Sequence, residues 1–422
     1  MTLEVTIRRS NLHGSVRAPP SKSYTHRAMF CAALARGESR LHLPLICDDT
    51  IATSEGLSRM GVKTDWNDSS NCIIQSEGLK KPRDIIFCRE SGTTLRFMMA
   101  VCATTPHEAE ISGAAALLKR PVKDLAIALQ ELGANCTSER GYPPVRVRGP
   151  IKGGSVRIAG NVSSQYISAL LLASPLAQGR IEFTVSGRLE SKSYVQMTLE
   201  MQRSFGATLD VADDLSHFQS VPGIYSPANV EIEGDWSSAA FLLAGAAIAG
   251  EKVGIQGLSR ETAQADRSLL EILDRMNGQT GQESGSVTVE KSQLNPVELD
   301  ASDCPDLFPA VCALSAAANG VSTIRGIRRL RIKESDRVLA MSKGLNSMGI
   351  KTVESEDYLV IHGGRLLGAV LDPHRDHRIA MALAVLGLCA DEVTIVDAEC
   401  VAKSYPSFWS DLQSLGAEVT VH

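Results

Sequence analysis

The sequence predicts an α/β (α+β) fold of two similar lobes, each built from three β-α-β-α-β-β repeats, and three observations predict it. First, a glycine or asparagine that closes an amphipathic helix and opens a β-rich stretch recurs at Gly61, Gly133, Gly206, Asn277, Gly349 and Gly416, spaced 67–73 residues apart. Gly and Asn tolerate the left-handed conformation that ends a helix, so the pivot is chemically consistent in all six copies. Second, a series of strongly apolar helices runs in phase with the pivots. Third, 422 residues divide most simply into two groups of three such units, and a period of this size sets the whole architecture.

Along the chain, short polar caps lead into the apolar helices at SKSYTHRAMFCAALARG, SGTTLRFMMAVCATT, SSQYISALLLASPLAQG, DWSSAAFLLAGAAIAG, CPDLFPAVCALSAAANG and DHRIAMALAVLGLCADE. These are apolar nearly all round, as a helix buried inside a domain is. The helices that end at the pivots, in segments such as GLSRMGVKTDW and DLQSLGAEVTV, are more exposed. Ala18-Pro19-Pro20 cannot continue a regular element, and the stretch Gly223 to Gly234 leaves the third repeat for the fourth. The expected lobes are therefore 19–230 and 1–18 plus 231–422, with the active site in the cleft between them.

Composition narrows the function. A net charge of −5 argues against a general nucleic-acid binder, so any anion site must come from local clustering. The ten cysteines are scattered, with no C-x-x-C pair, which fits a reducing compartment without structural zinc. The N-terminus has no apolar leader and no run approaches 18 apolar residues, so a cytoplasmic protein without a membrane partner is expected.

The chemistry-bearing residues recur at the starts of helices, where unpaired N–H groups and a partial positive charge favour anions. Lys22, Ser23 and Arg27 open the first; Gly92 and Arg96 follow in ESGTTLR; Lys119-Arg120-Pro121 is expected to open another, with Pro121 in its first turn. Ser163, Ser164 and Gln165 present three short polar side chains where one cap would suffice, and Ser191 and Tyr194 are similar. Later, Pro305-Asp306 is expected to open a helix, and Arg331 to Arg337 packs five charges, Lys333 and Glu334 among them, into seven positions. The same run is compatible with a solvated helix start. His374 and His377 flank Asp376 ahead of Arg378, but no third ligand has metal spacing. Lys403 closes the series in AKSYP. Eight cations (Lys22, Arg27, Arg96, Arg120, Lys333, Arg337, Arg378 and Lys403) gathered in an acidic protein need anions to neutralise them, so the ligand is expected to carry phosphate and carboxylate groups.

In their order and spacing, PSKSYTHR, SGTTLR, KRPVKDL, SSQY, SKSY, GDWSSAAF, PD, KESDR, DHR and AKSYP resemble the 5-enolpyruvylshikimate-3-phosphate synthase family over the whole chain. The resemblance implies six β-α-β-α-β-β units in an inverse α/β barrel-like pair of lobes, with the N-terminal strand packed in the second lobe. It also implies a reaction without metal or organic cofactor. The 5-hydroxyl of shikimate 3-phosphate attacks C2 of phosphoenolpyruvate, C3 is protonated, and phosphate leaves a tetrahedral intermediate. The two substrates bring roughly five negative charges together, and that repulsion must be cancelled before they react. Arginine suits the task because its planar fork pairs carboxylate and phosphate bidentately.

Carried over by position, Ser23, Arg27, Ser163, Ser164, Ser191, Tyr194 and Lys333 look like the shikimate-phosphate set. Lys22, Gly92, Arg120, Arg337, Arg378 and Lys403 look like the phosphoenolpyruvate set, and Gln165 would touch both. Asp306 matches the carboxylate that takes the proton of the attacking hydroxyl; Glu334 matches the residue that handles the proton at C3, with Lys22 a competing candidate. Lys22 and Asp306 would also touch the shikimate phosphate, with Arg96 and His377 in support. A monomer is implied. Three positions depart from common members: Glu90 where Asn or a small residue is usual, Arg329 where some have Asn, and Ser193 where Pro is common. Glu90 is expected to pair with a neighbouring cation. The related transferase acting on UDP-N-acetylglucosamine typically carries a reactive loop Cys, absent from Gly113 to Lys119 here. A dead scaffold would keep the cations and lose the acids, yet Asp306 and Glu334 are both present. A Cβ at Gly92 would intrude on the site, so sensitivity to glyphosate, which resembles the phosphoenolpyruvate half of the reaction, is expected.

Overall fold

A helix followed by a left-handed residue is the unit from which the fold is built. The structure is a computed structural model that describes residues 3–68, 70–283 and 285–422. The chain forms two compact units. The first is Pro20–Ile232, and the second joins Met1–Pro19 to Glu233–His422.

In the first unit the helices are α1 (Lys22–Leu34), α2 (Asp48–Arg59), α3 (Gly92–Cys102), α4 (Lys123–Glu131), α5 (Ser164–Ala173) and α6 (Lys192–Ser204). In the second they are α7 (Trp236–Ala249), α8 (Leu269–Arg275), α9 (Phe308–Ala317), α10 (Arg337–Ser347), α11 (His377–Gly387) and α12 (Phe408–Ser414). The odd-numbered helices carry the apolar segments. Every residue of α7 and of α11 is buried, and α7, α9 and α11 pack pairwise at the centre of one continuous core in their unit. In the first unit α3 packs against α1 and α5.

The even-numbered helices end alike. All six pivots adopt positive φ, from 64° at Asn277 to 96° at Gly416. In each copy the residue after the pivot donates its N–H to the carbonyl five positions back: Val62 to Leu57, Ala134 to Leu129, Ala207 to Gln202, Gly278 to Leu273, Ile350 to Leu345 and Ala417 to Leu412. That bond satisfies a carbonyl the helix end would otherwise leave unpaired.

Among the described residues six four-stranded sheets share one topology: one edge strand is parallel to its neighbour, and the remaining pairings are antiparallel. Three are contiguous in the chain, beginning at Ile86–Phe87, Gly154–Ala159 and Glu298–Asp300. The other three borrow a strand. Asn229–Glu231 returns to pair with Gly37–His42; Leu12–Arg17 pairs with Gly250–Gln256; and Val5–Arg8 sits between Glu392–Ile395 and Glu418–Val421. The uniform order expected from the sequence thus holds for three copies, and the others complete their sheets with strands distant in sequence. The physical reason is that helices and pivots carry the period, whereas strands of three to six residues have no register signal of their own. Among the described residues no helix is long and apolar enough to cross a membrane.

Candidate active site

Helix caps place most of the polar residues. Ser21, Ser91, Ser163, Asp235 and Asp376 cap α1, α3, α5, α7 and α11, each accepting a backbone N–H of the first turn. Capping of this kind stabilises a helix by about 1 kcal/mol. The exception is α9, which starts at Phe308 without a side-chain cap. Pro305 and Asp306 lie in the preceding turn instead of opening the helix. Two further expectations are corrected. Pro121 lies ahead of α4, which starts at Lys123, because Val122 (φ −137°, ψ 2°) is the non-helical cap between them; Pro121 follows a short 3-10 turn, Leu117–Lys119. Lys333 and Lys403 likewise follow or end 3-10 turns, Arg328–Ile332 and Ala398–Lys403, and are not at α-helix starts.

In the first unit, the Lys22 Nζ lies 3.0 Å from Asp49 Oδ2, both largely buried. Arg27 is buried and donates to Thr198 Oγ1 (2.8 Å), the Ser23 carbonyl (2.9 Å), Ser168 Oγ (3.4 Å) and the Tyr194 carbonyl (2.8 Å). Its guanidinium also lies over Phe97 and Tyr194, 5.5 and 5.9 Å from the ring centroids. Burial pushes its pKa down to about 10, so it remains a cation at neutral pH. Arg96 donates to Gln165 Oε1, and Gln165 Nε2 donates to Thr93 Oγ1 at 3.0 Å. A Cβ on Gly92 would lie 2.8 Å from Arg120 Nη1 and 3.1 Å from Arg96 Nη1. Gly92, Arg96, Arg120 and Gln165 therefore form one cluster where α3 and α5 begin. Ser163 and Ser164 start α5; Ser191, in left-handed conformation (φ 57°), and Tyr194 start α6, which packs against α5.

In the second unit, one arginine organises the acids. Arg337, 1% exposed, places Nη1 2.8 Å from Asp306, Nη2 2.9 Å from Glu334 and Nε 2.9 Å from Asp376. Arg378 Nη2 reaches the second Asp306 oxygen at 3.2 Å. Burial alone would depress the Arg337 guanidinium, but Asp376, Glu334 and Asp306 more than offset it, and its pKa is raised well above the ordinary value. Lys333 stands in the same group: burial pushes its pKa down to about 8, partly opposed by Asp306 and Glu334 and reinforced by Arg337 and Arg329. His377 begins α11 beside Asp376, and buried Lys403 lies on the 3-10 turn packed against α11.

The charged run Arg331 to Arg337 is therefore split. Arg331 pairs with Asp336 and Glu354 near the surface, while Lys333, Glu334 and Arg337 turn inward. Glu90 is half-buried just ahead of the Ser91 cap, and Arg329 donates to the Ser302 carbonyl at 2.9 Å. Sequence reasoning missed Asp49 and Thr93 as partners, and Asp376 as an acid held by Arg337. The signal for Asp49 was an acidic pair in the first turn of an exposed helix; that for Asp376 was its place between two histidines.

The model of the family described as EPSP synthase (3-phosphoshikimate 1-carboxyvinyltransferase) matches residues 7–412. The chain belongs to the EPSP synthase family. Among its relatives, a 3-phosphoshikimate 1-carboxyvinyltransferase of Methanocorpusculum labreanum is 39% identical over 99% of both chains. One from Dehalococcoides mccartyi is 40% identical over 96% of this chain and 97% of its own. An EPSP synthase structure from Acinetobacter baumannii superimposes with a TM-score of 0.85 at 28% identity, covering both chains fully. The enolpyruvyl transferase NikO from Streptomyces tendae shares the fold, with a TM-score of 0.82 at 18% identity over 100% of this chain and 99% of that one.

Proposed function

We infer that this chain transfers the enolpyruvyl group of phosphoenolpyruvate to the 5-hydroxyl of shikimate 3-phosphate and releases phosphate. The observation that carries the reading is the grip of Arg337 and Arg378 on the two oxygens of Asp306, beside Lys333 and Glu334, in a chain of the EPSP synthase family. An anionic substrate pair needs cations held in place before it arrives, and fixed guanidinium groups supply them without reorganisation in the transition state.

In this reading Asp306 takes the proton of the attacking hydroxyl. Glu334 handles the proton delivered to C3, with Lys22, paired to Asp49, as the alternative donor. Lys22, Gly92, Arg120, Arg337, Arg378 and Lys403 hold phosphoenolpyruvate. Lys22, Ser23, Arg27, Ser163, Ser164, Ser191, Tyr194, Asp306 and Lys333 hold shikimate 3-phosphate, and Gln165 touches both. Arg96 supports the site by orienting Gln165, and His377 by packing beside Asp376. The protein acts as a monomer in the cytoplasm; its ten cysteines are all free thiols, eight of them buried, which supports a reducing compartment.

The test is phosphate release from phosphoenolpyruvate with either shikimate 3-phosphate or UDP-N-acetylglucosamine. Release with shikimate 3-phosphate alone is expected, and Asp306→Ala should abolish it. Release only with the nucleotide sugar would overturn the substrate assignment.

A further inference from the structure

Asp306 and Glu334 are carried by two chain segments that leave one sheet side by side. Glu298–Asp300 and Val321–Arg325 are parallel neighbours, with Asp300 opposite Arg325. Beyond Asp300 the chain runs through Ser302 to Asp306 and α9. Beyond Arg325 it turns at Gly326 into the 3-10 turn Arg328–Ile332, and from there reaches Lys333 and Glu334. The segments stay joined after the strands end. Ala301 donates its N–H to the Arg325 carbonyl at 2.9 Å. Gly326 has a positive φ of 71°, and an added Cβ there would overlap the Ser302 hydroxyl and a carboxylate oxygen of Asp300.

Arg329 makes the next tie. From the 3-10 turn its Nη2 donates to the Ser302 carbonyl at 2.9 Å, across to the segment of Asp306. The Ser302 N–H is held in turn by Asp300 Oδ1 at 2.9 Å, so Ser302 is fixed through both its N–H and its carbonyl. The backbone then folds tightly, Cys304 N–H bonding the Ala301 carbonyl at 3.2 Å and Leu307 N–H the Cys304 carbonyl at 3.0 Å. Asp306 therefore stands on a short lever from Ser302. At the far end Arg337 bonds Asp306 and Glu334 at 2.8 and 2.9 Å. Arginine thus bridges the two segments twice, Arg337 at the acids and Arg329 at their roots. Bonds from a charged donor are among the stronger hydrogen bonds of a protein, and one bridge at the acids alone would leave the backbone of Asp306 to pivot about it.

We propose that Arg329 is a positioning residue for Asp306: its bond to the Ser302 carbonyl fixes the backbone that carries Asp306 against the turn that leads to Lys333 and Glu334. The inference rests on the enolpyruvyl-transfer reading, in which Asp306 takes the hydroxyl proton of a substrate that Lys333 helps to hold. The spacing of those two groups then decides whether the hydroxyl meets its base, and Arg329 sets that spacing through the backbone.

The experiment compares Arg329→Ala, Arg329→Gln and Arg329→Lys with the wild type by steady-state phosphate release, thermal unfolding, and amide hydrogen exchange of the substrate-free protein. In Arg329→Ala and Arg329→Gln kcat is expected to fall about tenfold, short of the hundredfold that a misplacement of about 1 Å can cost. The KM for phosphoenolpyruvate should stay at its wild-type value, and the amides of Cys304 and Leu307 should exchange faster. Arg329→Lys, which keeps a charged donor, should recover part of the rate and part of the protection. Wild-type kcat together with wild-type exchange would overturn the proposal. So would a loss of kcat with unchanged exchange, or one matched by an equal loss of folded protein. A KM for shikimate 3-phosphate raised about tenfold, with kcat and exchange unchanged, would make Arg329 a substrate contact and overturn it too. If Arg329→Ala does not fold, Arg329→Gln carries the same test. If the wild type releases no phosphate, the reaction reading fails by itself. Exchange then decides alone on Arg329: faster exchange at Cys304 and Leu307 in the variants supports the tie, and unchanged exchange refutes it.

Discussion

Arg337 Nη1 lies 2.8 Å from Asp306 Oδ1, and the same guanidinium spans Glu334 and Asp376 through its other nitrogens. One buried cation therefore sets the position of two acids that the reaction reading assigns to proton transfer. Removing one partner of a buried ionic group leaves the others uncompensated, and this is where the network is most exposed to mutation. Asp376 has no exposure at all. Arg337→Ala should destabilise the second unit by about 3–5 kcal/mol, and phosphate release should fall below detection. Arg337→Lys keeps the charge but not the three-way fork. It should recover part of the stability and little of the activity, as read by denaturant unfolding beside steady-state kinetics.

Lys333 gives a pH dependence with a definite sign. Its folded pKa, lowered by burial to about 8, lies below its ordinary value of 10.5. Between these values the unfolded chain binds more protons than the folded one, so this group adds stability as pH rises through the window and costs stability below it. In the reaction reading binding runs the other way, because an anionic substrate held by Lys333 needs the ammonium. The KM for shikimate 3-phosphate should be flat near pH 7 and climb above about pH 8, and Lys333→Gln should be weak at all pH values. A KM flat through pH 9 in the wild type would remove Lys333 from the binding set.

His26 behaves as a neutral core residue. Burial lowers its pKa from 6.5 to about 3, and its Nδ1 hydrogen-bonds Thr53 Oγ1 at 2.8 Å in a chain that continues to Thr94 and Ser91. With the folded value depressed, its stabilising effect is complete above pH 6.5 and is lost as pH falls toward 3. The slope reaches about 1.4 kcal/mol per pH unit for one proton. His26→Gln should flatten the acid side of the stability curve of the first unit by that slope, measured by urea unfolding between pH 4 and 7.

How much of this was legible in the sequence depends on whether a local signal existed. The pivots at Gly61, Gly133, Gly206, Asn277, Gly349 and Gly416 were legible because a left-handed residue leaves a chemical mark, and the apolar helices because full burial suppresses amphipathicity. The borrowed strands Leu12–Arg17 and Asn229–Glu231 had no such mark, since only tertiary pairing decides which sheet takes them. Pro305-Asp306 in the sequence points to a helix start, whereas a turn held by the Cys304 carbonyl precedes α9. Asp49 and Asp376 carry only an ambiguous signal as site partners because helix-start acids are common caps, and only the folded chain shows them facing Lys22 and Arg337.

Gly92 is where the backbone itself makes room. It is the first residue of α3, behind the Ser91 cap, and its φ lies outside the left-handed region, so conformational freedom does not explain it. Space does: an added Cβ would lie 2.8 Å from Arg120 Nη1 and 3.1 Å from Arg96 Nη1. Both contacts are at the ends of long side chains, so the fold can absorb a methyl group by moving two guanidinium groups. Gly92→Ala should therefore leave thermal stability close to wild type. In the reaction reading, moving Arg120 and Arg96 displaces a proposed phosphoenolpyruvate contact and the Gln165 support together, and a misplacement of about 1 Å can cost of order a hundredfold in rate. The expected result is a KM for phosphoenolpyruvate raised about tenfold, for a loss of about 1.4 kcal/mol of binding. The KM for shikimate 3-phosphate should be little changed. The inhibition constant of glyphosate should rise with the KM for phosphoenolpyruvate or beyond it. If both stay at wild-type values while the protein remains folded, the guanidinium positions near Gly92 do not govern that half of the site.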